Sequence, residues 1–253
     1  MSKKVAQVIV DTLQSAGVKN CYGIVGDTLN NFASCLSRSE IKFVHMRHEE
    51  AGAFAAQGEA LLMDRLTAMA GSCGPGSLHF INGLYEANRN RAPVILIASQ
   101  VTRSELGFDF IQEVDFKEVF KGCSVFCEMV MTPDQALRKT VMACQAAISK
   151  RGVAVLILPV DVADSPAVDE PPFRVHVNRP VIRPSDADLD HMAEILAAGT
   201  NVTIYAGSGC VNAHDEVVAL AARLNAPVAQ TCTRFARKSS ARRSGRASLR
   251  CLA

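Results

Sequence analysis

Two uninterrupted apolar runs, Val94-Ile95-Leu96-Ile97-Ala98 and Val153-Ala154-Val155-Leu156-Ile157-Leu158, constrain this chain most. A strand apolar at every position must be covered on both faces, which a parallel sheet achieves by returning through helices. The intervening segments supply them. Val5 to Ala16 and Leu29 to Leu36 carry helical periodicity, and the Ala-rich stretch from Glu49 to Met63 predicts a longer helix. Strands are expected at Asn20 to Val25, Phe43-Val44 and Thr67 to Gly71, with a helix from about Gly76 to Asn88. Thr132-Pro133-Asp134 opens another helix reaching about Lys150, with Thr132 as N-cap and Pro133 in the first turn. The expectation is an α/β fold: a six-stranded parallel sheet with helices on both faces over residues 1–165, followed by a truncated second α/β domain.

The second domain is read from punctuation. Five prolines between Ser165 and Pro184 mark residues 166–184 as a linker. Residues 185–230 then give a helix from Ser185 to about Ala198, a strand Val202 to Ala206, a plain Gly207-Ser208-Gly209 turn, a helix to about Leu224 and a last strand after Pro227. With 253 residues, 49% of them hydrophobic, the chain can bury one domain of about 150–180 residues and a piece of another. One βαβ piece cannot cover its own sheet faces.

Charge divides at Thr231. The first 230 residues hold 20 basic and 25 acidic side chains, whereas residues 231–253 hold seven basic and no acidic ones. That tail has no apolar period and is expected to be out-of-frame translation. Its rival is a basic arm for nucleic acid or anionic lipid; Phe235 is its only aromatic, and nucleic acid is not an expected partner. Nine scattered cysteines without a CxxC pair argue for reduced thiols rather than a zinc ribbon or disulfide framework. No stretch approaches the ~18–20 apolar residues of a membrane span, and no signal sequence opens the chain. A cytoplasmic protein is expected.

Glu49 and Glu50 open the Ala-rich helix, and Gly71-Ser72-Cys73-Gly74-Pro75-Gly76 follows one βαβ step later. Each has an ordinary reading. Acidic residues in a first helical turn compensate the helix dipole. Gly74-Pro75-Gly76 is a strand-to-helix turn that also lets backbone approach a ligand and leaves free amides at a helix start. Gly23 to Asp27 forms a second such turn, with Asp27 or Thr28 as N-cap. A lone histidine such as His79 is more often packed or solvated than catalytic.

Together, Asn20-Cys21-Tyr22-Gly23-Ile24-Val25-Gly26-Asp27, Arg47-His48-Glu49-Glu50, Gly71 to Gly76, Ile81-Asn82-Gly83-Leu84 and Arg91-Ala92-Pro93-Val94 resemble the thiamine-diphosphate-dependent pyruvate oxidase and acetolactate synthase family. Within it, the likeness points toward the quinone-dependent pyruvate dehydrogenases. The resemblance implies that residues 1–165 are the pyrimidine-binding domain and 185–230 the start of a central, FAD-type domain, in a chain about half the family's length. It implies that Glu49 activates the aminopyrimidine of thiamine diphosphate by sharing a proton with its ring nitrogen, and that Gly26, Asp27, Gly74, Pro75 and Gly76 line the cofactor. Phe110-Ile111-Gln112-Glu113 resembles the family's Phe-Gln-Glu-like segment, placing Gln112, with His79, in a pocket for pyruvate or another 2-oxo acid; Ile111 replaces an aromatic there.

The family's magnesium is held by a Gly-Asp-Gly segment and a later Asn, a hard oxygen shell. Neither occurs here, so no residue is assigned to a metal. FAD contacts and any membrane contact fall mostly past Gln230. Family members are homo-oligomers, dimers of dimers with the cofactor between subunits. The implied function is the N-terminal portion of a 2-oxo acid decarboxylase passing electrons to FAD and a quinone, inactive by itself. A non-catalytic fragment and an acetolactate synthase-type carboligase are the alternatives.

Overall fold

The computed structural model of the chain describes residues 3–171, 173–176 and 181–230. The basic tail at 231–253 lies outside the described residues. Two compact units divide at Pro180.

The first unit alternates strands and helices: α1 (Val5–Ser15), β1 (Asn20–Gly23), α2 (Asn30–Leu36), β2 (Lys42–His45), α3 (Glu49–Met63), β3 (Thr67–Gly71), α4 (Pro75–Leu78), α5 (Ile81–Arg89), β4 (Val94–Gln100), α6 (Phe116–Phe120), β5 (Phe126–Met129), α7 (Ala136–Lys150), β6 (Val153–Pro159) and α8 (Val160–Asp164). The strands form one sheet in the order β2-β1-β3-β4-β6-β5, and every pairing is parallel. The expected α/β fold, a six-stranded parallel sheet, is therefore present.

The two apolar runs are its centre. Every residue of β4 and β6 is buried, and successive side chains feed opposite faces, as the pleat requires. Ile95, Ile97, Ala154, Leu156 and Leu158 pack with α1, α2 and α7. Val94, Leu96, Ala98, Val153, Val155 and Ile157 pack with α3, α5 and α6.

Three details differ from expectation. The predicted helix over 76–88 is two helices, α4 and α5, broken at His79-Phe80. Phe80 is fully buried, and the break turns its ring into the core while aiming His79 elsewhere. The sixth strand, to which no residues were assigned, is β5, half-exposed at every position. Thr132 precedes a 3-10 turn (Pro133–Gln135) rather than α7 itself, and its side chain makes no capping bond.

Within the segment read as linker, Ala167, Val175 and His176 are engaged with the first unit. Ala167 N–H donates to the Lys3 carbonyl at 2.7 Å, Gln145 Nε2 donates to the His176 carbonyl at 2.7 Å, and Val175 is buried.

The second unit holds α9 (Asp186–Ala198), β7 (Ile204–Ala206), α10 (His214–Leu224) and β8 (Val228–Gln230). Ser185 caps α9 by accepting the Asp188 amide. The strands β7 and β8 pair in parallel, and neither helix has a buried residue, as expected of a βαβ piece with one short sheet. Among the described residues, no helix is long and apolar enough to cross a membrane.

Candidate functional site

The order of the sheet selects a place before any side chain does. From β1 the chain moves outward to β2, then returns to β3 on the other side of β1. Loops leaving the carboxyl ends of β1 and β3 therefore diverge and open a crevice, where open α/β sheets bind ligands. The turns after Gly23 and Gly71 border this crevice.

Glu49 reaches it from the start of α3. Its neighbour His48 has extended backbone and is the N-cap, its Nδ1 accepting the Glu50 amide at 3.2 Å. The two acidic residues then part. Glu50 accepts Asn82 Nδ2 at 2.9 Å on the outside, as a dipole-compensating residue can. Glu49 is only 7% exposed. Removing a carboxyl from water is unfavourable unless it is partnered, and its partner is His79, whose Nδ1 lies 3.0 Å from Glu49 Oε2. Among the described residues, Oε1 receives no hydrogen bond. What faces it is backbone: a Cβ on Gly76 would stand 3.7 Å from Oε1.

The glycine turns meet across the crevice. Cys73 N–H donates to Thr28 Oγ1 at 2.9 Å, and Thr28's carbonyl accepts Ser99 Oγ at 2.6 Å from the end of β4. A Cβ on Gly26 would come within 2.6 Å of Ser72 Cβ. Ser77, fully buried, holds the second turn from beneath by donating to the carbonyls of Gly71 (3.1 Å) and Ser72 (2.8 Å). Gly74 has φ +63° and ψ −127°, a conformation closed to other residues, and a Cβ there would strike Gln112 at 2.7 Å. Pro75 opens α4 at its first turn. Gln112, itself at φ +69°, places Oε1 3.6 Å from Cys73 Sγ.

Of the residues singled out from sequence, Glu49, Gly26, Gly74, Pro75, Gly76, His79 and Gln112 thus converge, directly or through Ser72 and Cys73. Asp27 does not. It is exposed, and its carboxylate lies 3.5 Å from Asn30 Nδ2. Neither Asp27 nor Thr28 is an N-cap: Gly26, which has no side chain to cap with, occupies that position, and Thr28's hydroxyl accepts the Cys73 amide instead. Ile111 is 77% exposed.

Thr28, Ser72, Ser77, Ser99 and His48 were assigned no part in the site. His48 and His79 stack with ring centroids 4.8 Å apart, and His48, Glu49 and His79 each offer a ligand atom within 4.8 Å of the others. Burial pushes the Cys123 thiol up to about 11 and Cys127, with Glu128's charge adding to it, up to about 12, which disfavours their reactive thiolates.

Comparison with known proteins falls on the same segments. Residues 3–119 match the thiamine pyrophosphate enzyme N-terminal TPP binding domain, and residues 189–239 the central domain of the same enzymes. The chain belongs to the thiamine pyrophosphate enzyme family. It is 44% identical over 228 residues to the uncharacterized 42.6 kDa protein in the isoamylase 3' region of Pseudomonas amyloderamosa, covering 89% of this chain and 58% of that one. It is 28% identical to pyruvate oxidase of Lactiplantibacillus plantarum, over 88% of this chain and 38% of that enzyme. Identity to the chloroplastic acetolactate synthase of Arabidopsis thaliana is also 28%, over 90% and 35% respectively. The chain spans less than two thirds of the length of these relatives.

Proposed function

We propose that the first unit supplies the aminopyrimidine side of a thiamine diphosphate site in a 2-oxo acid decarboxylase of the pyruvate oxidase type, resembling the quinone-dependent pyruvate dehydrogenases. One observation carries this reading. The buried Glu49 carboxyl has one oxygen held by His79 and the other facing glycine backbone in the switch-point crevice.

The residues present fit the heterocycle. A flat ring needs wall without side chains, and Gly26, Gly74 and Gly76 provide it; the ring nitrogen needs a carboxyl, and Glu49 Oε1 is the acceptor without a partner among the described residues. Thiamine diphosphate supplies the electron sink for decarboxylation. Glu49 holds a proton at the ring nitrogen, and His79 fixes the carboxyl's orientation through Oε2. The packing around Ser77 keeps the turn rigid, which catalytic geometry demands. Gln112, across Gly74, faces the 2-oxo acid, with pyruvate as the substrate.

Residues 1–165 act as the pyrimidine-binding domain and 185–230 as the opening of the central domain. Magnesium, FAD and the quinone acceptor belong to parts beyond these segments, and the active species is a homo-oligomer that completes the cofactor pocket. The matches to acetolactate synthase support a second reading, carboligation of two 2-oxo acids, which differs in its product.

The test is thermal unfolding of the chain with and without thiamine diphosphate and magnesium. Saturation at about 100 times Kd would add ~2.7 kcal/mol, a rise of roughly 5–11 °C for a chain of this size. Glu49→Ala should abolish most of that rise. An equal rise in the variant removes Glu49 from its role.

A further inference from the structure

We propose that His48, Glu49 and His79 form a binding site for a borderline divalent transition-metal ion such as zinc, and that an ion there withholds Glu49 from the pyrimidine ring. The second half rests on the function proposed above; the first does not.

The three side chains come from two helix ends that face each other. His48 is the N-cap of α3, Glu49 its first residue, and His79 follows the last residue of α4. Their ligand atoms all lie within 4.8 Å of one another. A tetrahedral zinc ion with bonds of about 2.0–2.2 Å sets its ligand atoms ~3.3–3.5 Å apart. The His79 Nδ1 to Glu49 Oε2 separation, 3.0 Å, already falls near that edge length. The remaining closure is of order 1 Å, within reach of imidazoles whose side chains are 52% and 47% exposed.

Ligation exchanges hydrogen bonds for metal bonds. His48 Nδ1 carries the lone pair that accepts the Glu50 amide, and His79 Nδ1 lies against the Glu49 carboxyl; an ion takes the place of those contacts, and each half-exposed ring can turn or exchange tautomer to present it a lone pair. Two imidazoles and a carboxylate are also the donor set of open zinc sites, which keep a fourth position for water. Nitrogen donors suit zinc, nickel and copper; magnesium requires an octahedral oxygen shell, so the ion that serves the cofactor's diphosphate does not compete here. The helix dipole opposes binding as well. The α3 N-terminus presents the positive end of its dipole to a cation, and Glu49 and Glu50, the latter with Oε2 4.0 Å from His48 Nδ1, offset it.

A carboxylate bound to zinc through Oε2 keeps Oε1 but gives up the basicity with which it would hold a proton at the ring nitrogen. The ion and thiamine diphosphate should then weaken each other's binding by the same factor, making the site an inhibitory metal switch on the acid that activates the cofactor.

The experiment uses the cofactor-free chain under reducing conditions. Zinc is titrated by calorimetry, and cobalt by absorption, because nine cysteines offer thiolates that a charge-transfer band would reveal. The expected result is one site without a thiolate band, weakened at least tenfold in His48→Ala and in His79→Gln, and insensitive to excess magnesium. Zinc should also abolish the thermal rise given by thiamine diphosphate in the wild type but not in His48→Ala. Absence of a zinc site, affinity unchanged in both variants, or a thiolate band from the bound cobalt would overturn the proposal. Thiamine diphosphate giving no thermal rise even without zinc would sink the pyrimidine reading and the switch, and leave the metal site standing.

Discussion

Glu59 sits nearly three turns along α3 from Glu49, and neutralising it should loosen the helix that carries the site. Its side chain is 9% exposed and accepts four hydrogen bonds: Asn20 Nδ2 at 2.8 Å, Tyr22 Oη at 2.8 Å, and Arg65 Nε and Nη2 at 3.0 and 2.5 Å. Asn20 and Tyr22 lie on β1, so this one carboxylate ties α3 to the strand bordering the crevice. Burial raises its pKa, but the bonds from Asn20, Arg65 and Tyr22 and the guanidinium charge outweigh that and hold it below 4.5. Glu59→Gln keeps the shape, loses the charge, and turns a donor toward a cluster of donors. A buried charged hydrogen bond contributes about 1.5–3 kcal/mol, and losing several here, discounted because Arg65 reaches water and the bonds are not additive, gives ~2–4 kcal/mol. That corresponds to roughly 5–15 °C in Tm.

The pH dependence has a definite sign. A carboxyl depressed in the folded state adds stability above its unfolded pKa, and that stability is lost as pH falls below about 4.5 toward the folded value. Glu59→Gln should therefore flatten the acid limb as well as lower the plateau. Circular dichroism melts between pH 3 and 8 (roughly, the span over which carboxylates titrate) measure both. A variant within about 0.5 kcal/mol of wild type at neutral pH, with an unchanged acid limb, would refute the anchoring role.

Two further substitutions probe the glycine wall and the packing beneath it. Gly76→Ala drives a Cβ into Ser72 Oγ and to 3.7 Å from Glu49 Oε1; it should lower stability by about 1–3 kcal/mol and remove the thermal response to thiamine diphosphate. Adding Ser72→Ala should restore stability in a melt but not the response, since the methyl still fills the space beside Glu49 Oε1 that the ring would take. Gly83→Ala collides with Ala53 on α3 and reaches its backbone at 3.2 Å, with no flexible side chain to yield. It should destabilise by about 3 kcal/mol or more in denaturant unfolding, and a variant as stable as wild type would show that α3 and α5 do not pack this closely.

Burial decided how much of the fold could be read from the sequence. The strands β4 and β6 are covered on both faces, so their residues are apolar without interruption and announce themselves. The edge strand β5 contacts only β6 in the sheet, is half-exposed throughout, and mixes Phe126, Cys127, Glu128 and Met129; neither alternation nor a run survives there. The break between α4 and α5 was equally silent. Helical periodicity continues across His79-Phe80, and the interruption is tertiary: Phe80 packs against Gly71 and Gly52, which only the folded neighbours can demand.

The site divides along the same physical line. Glycines and a paired acidic dipeptide are legible because few ordinary environments need them in that order, and they marked both walls of the crevice. Asp27 follows a glycine turn and was assigned to the cofactor on the resemblance, but its side chain is exposed and lies by Asn30, while the turn after β3 gives its bond to Thr28. The hydroxyls that knit the turns, Thr28, Ser72, Ser77 and Ser99, belong to residue types common everywhere, and no spacing singles them out. Topology would have found them: Thr28, Ser72 and Ser99 lie at or just past the carboxyl ends of β1, β3 and β4, where a parallel sheet changes direction. His48 shows the same dependence. Thirty-one positions separate it from His79, and only the crossing of α3's start over α4's end stacks the two rings, giving a buried acid a second imidazole and the crevice a chemistry that neither segment carries alone.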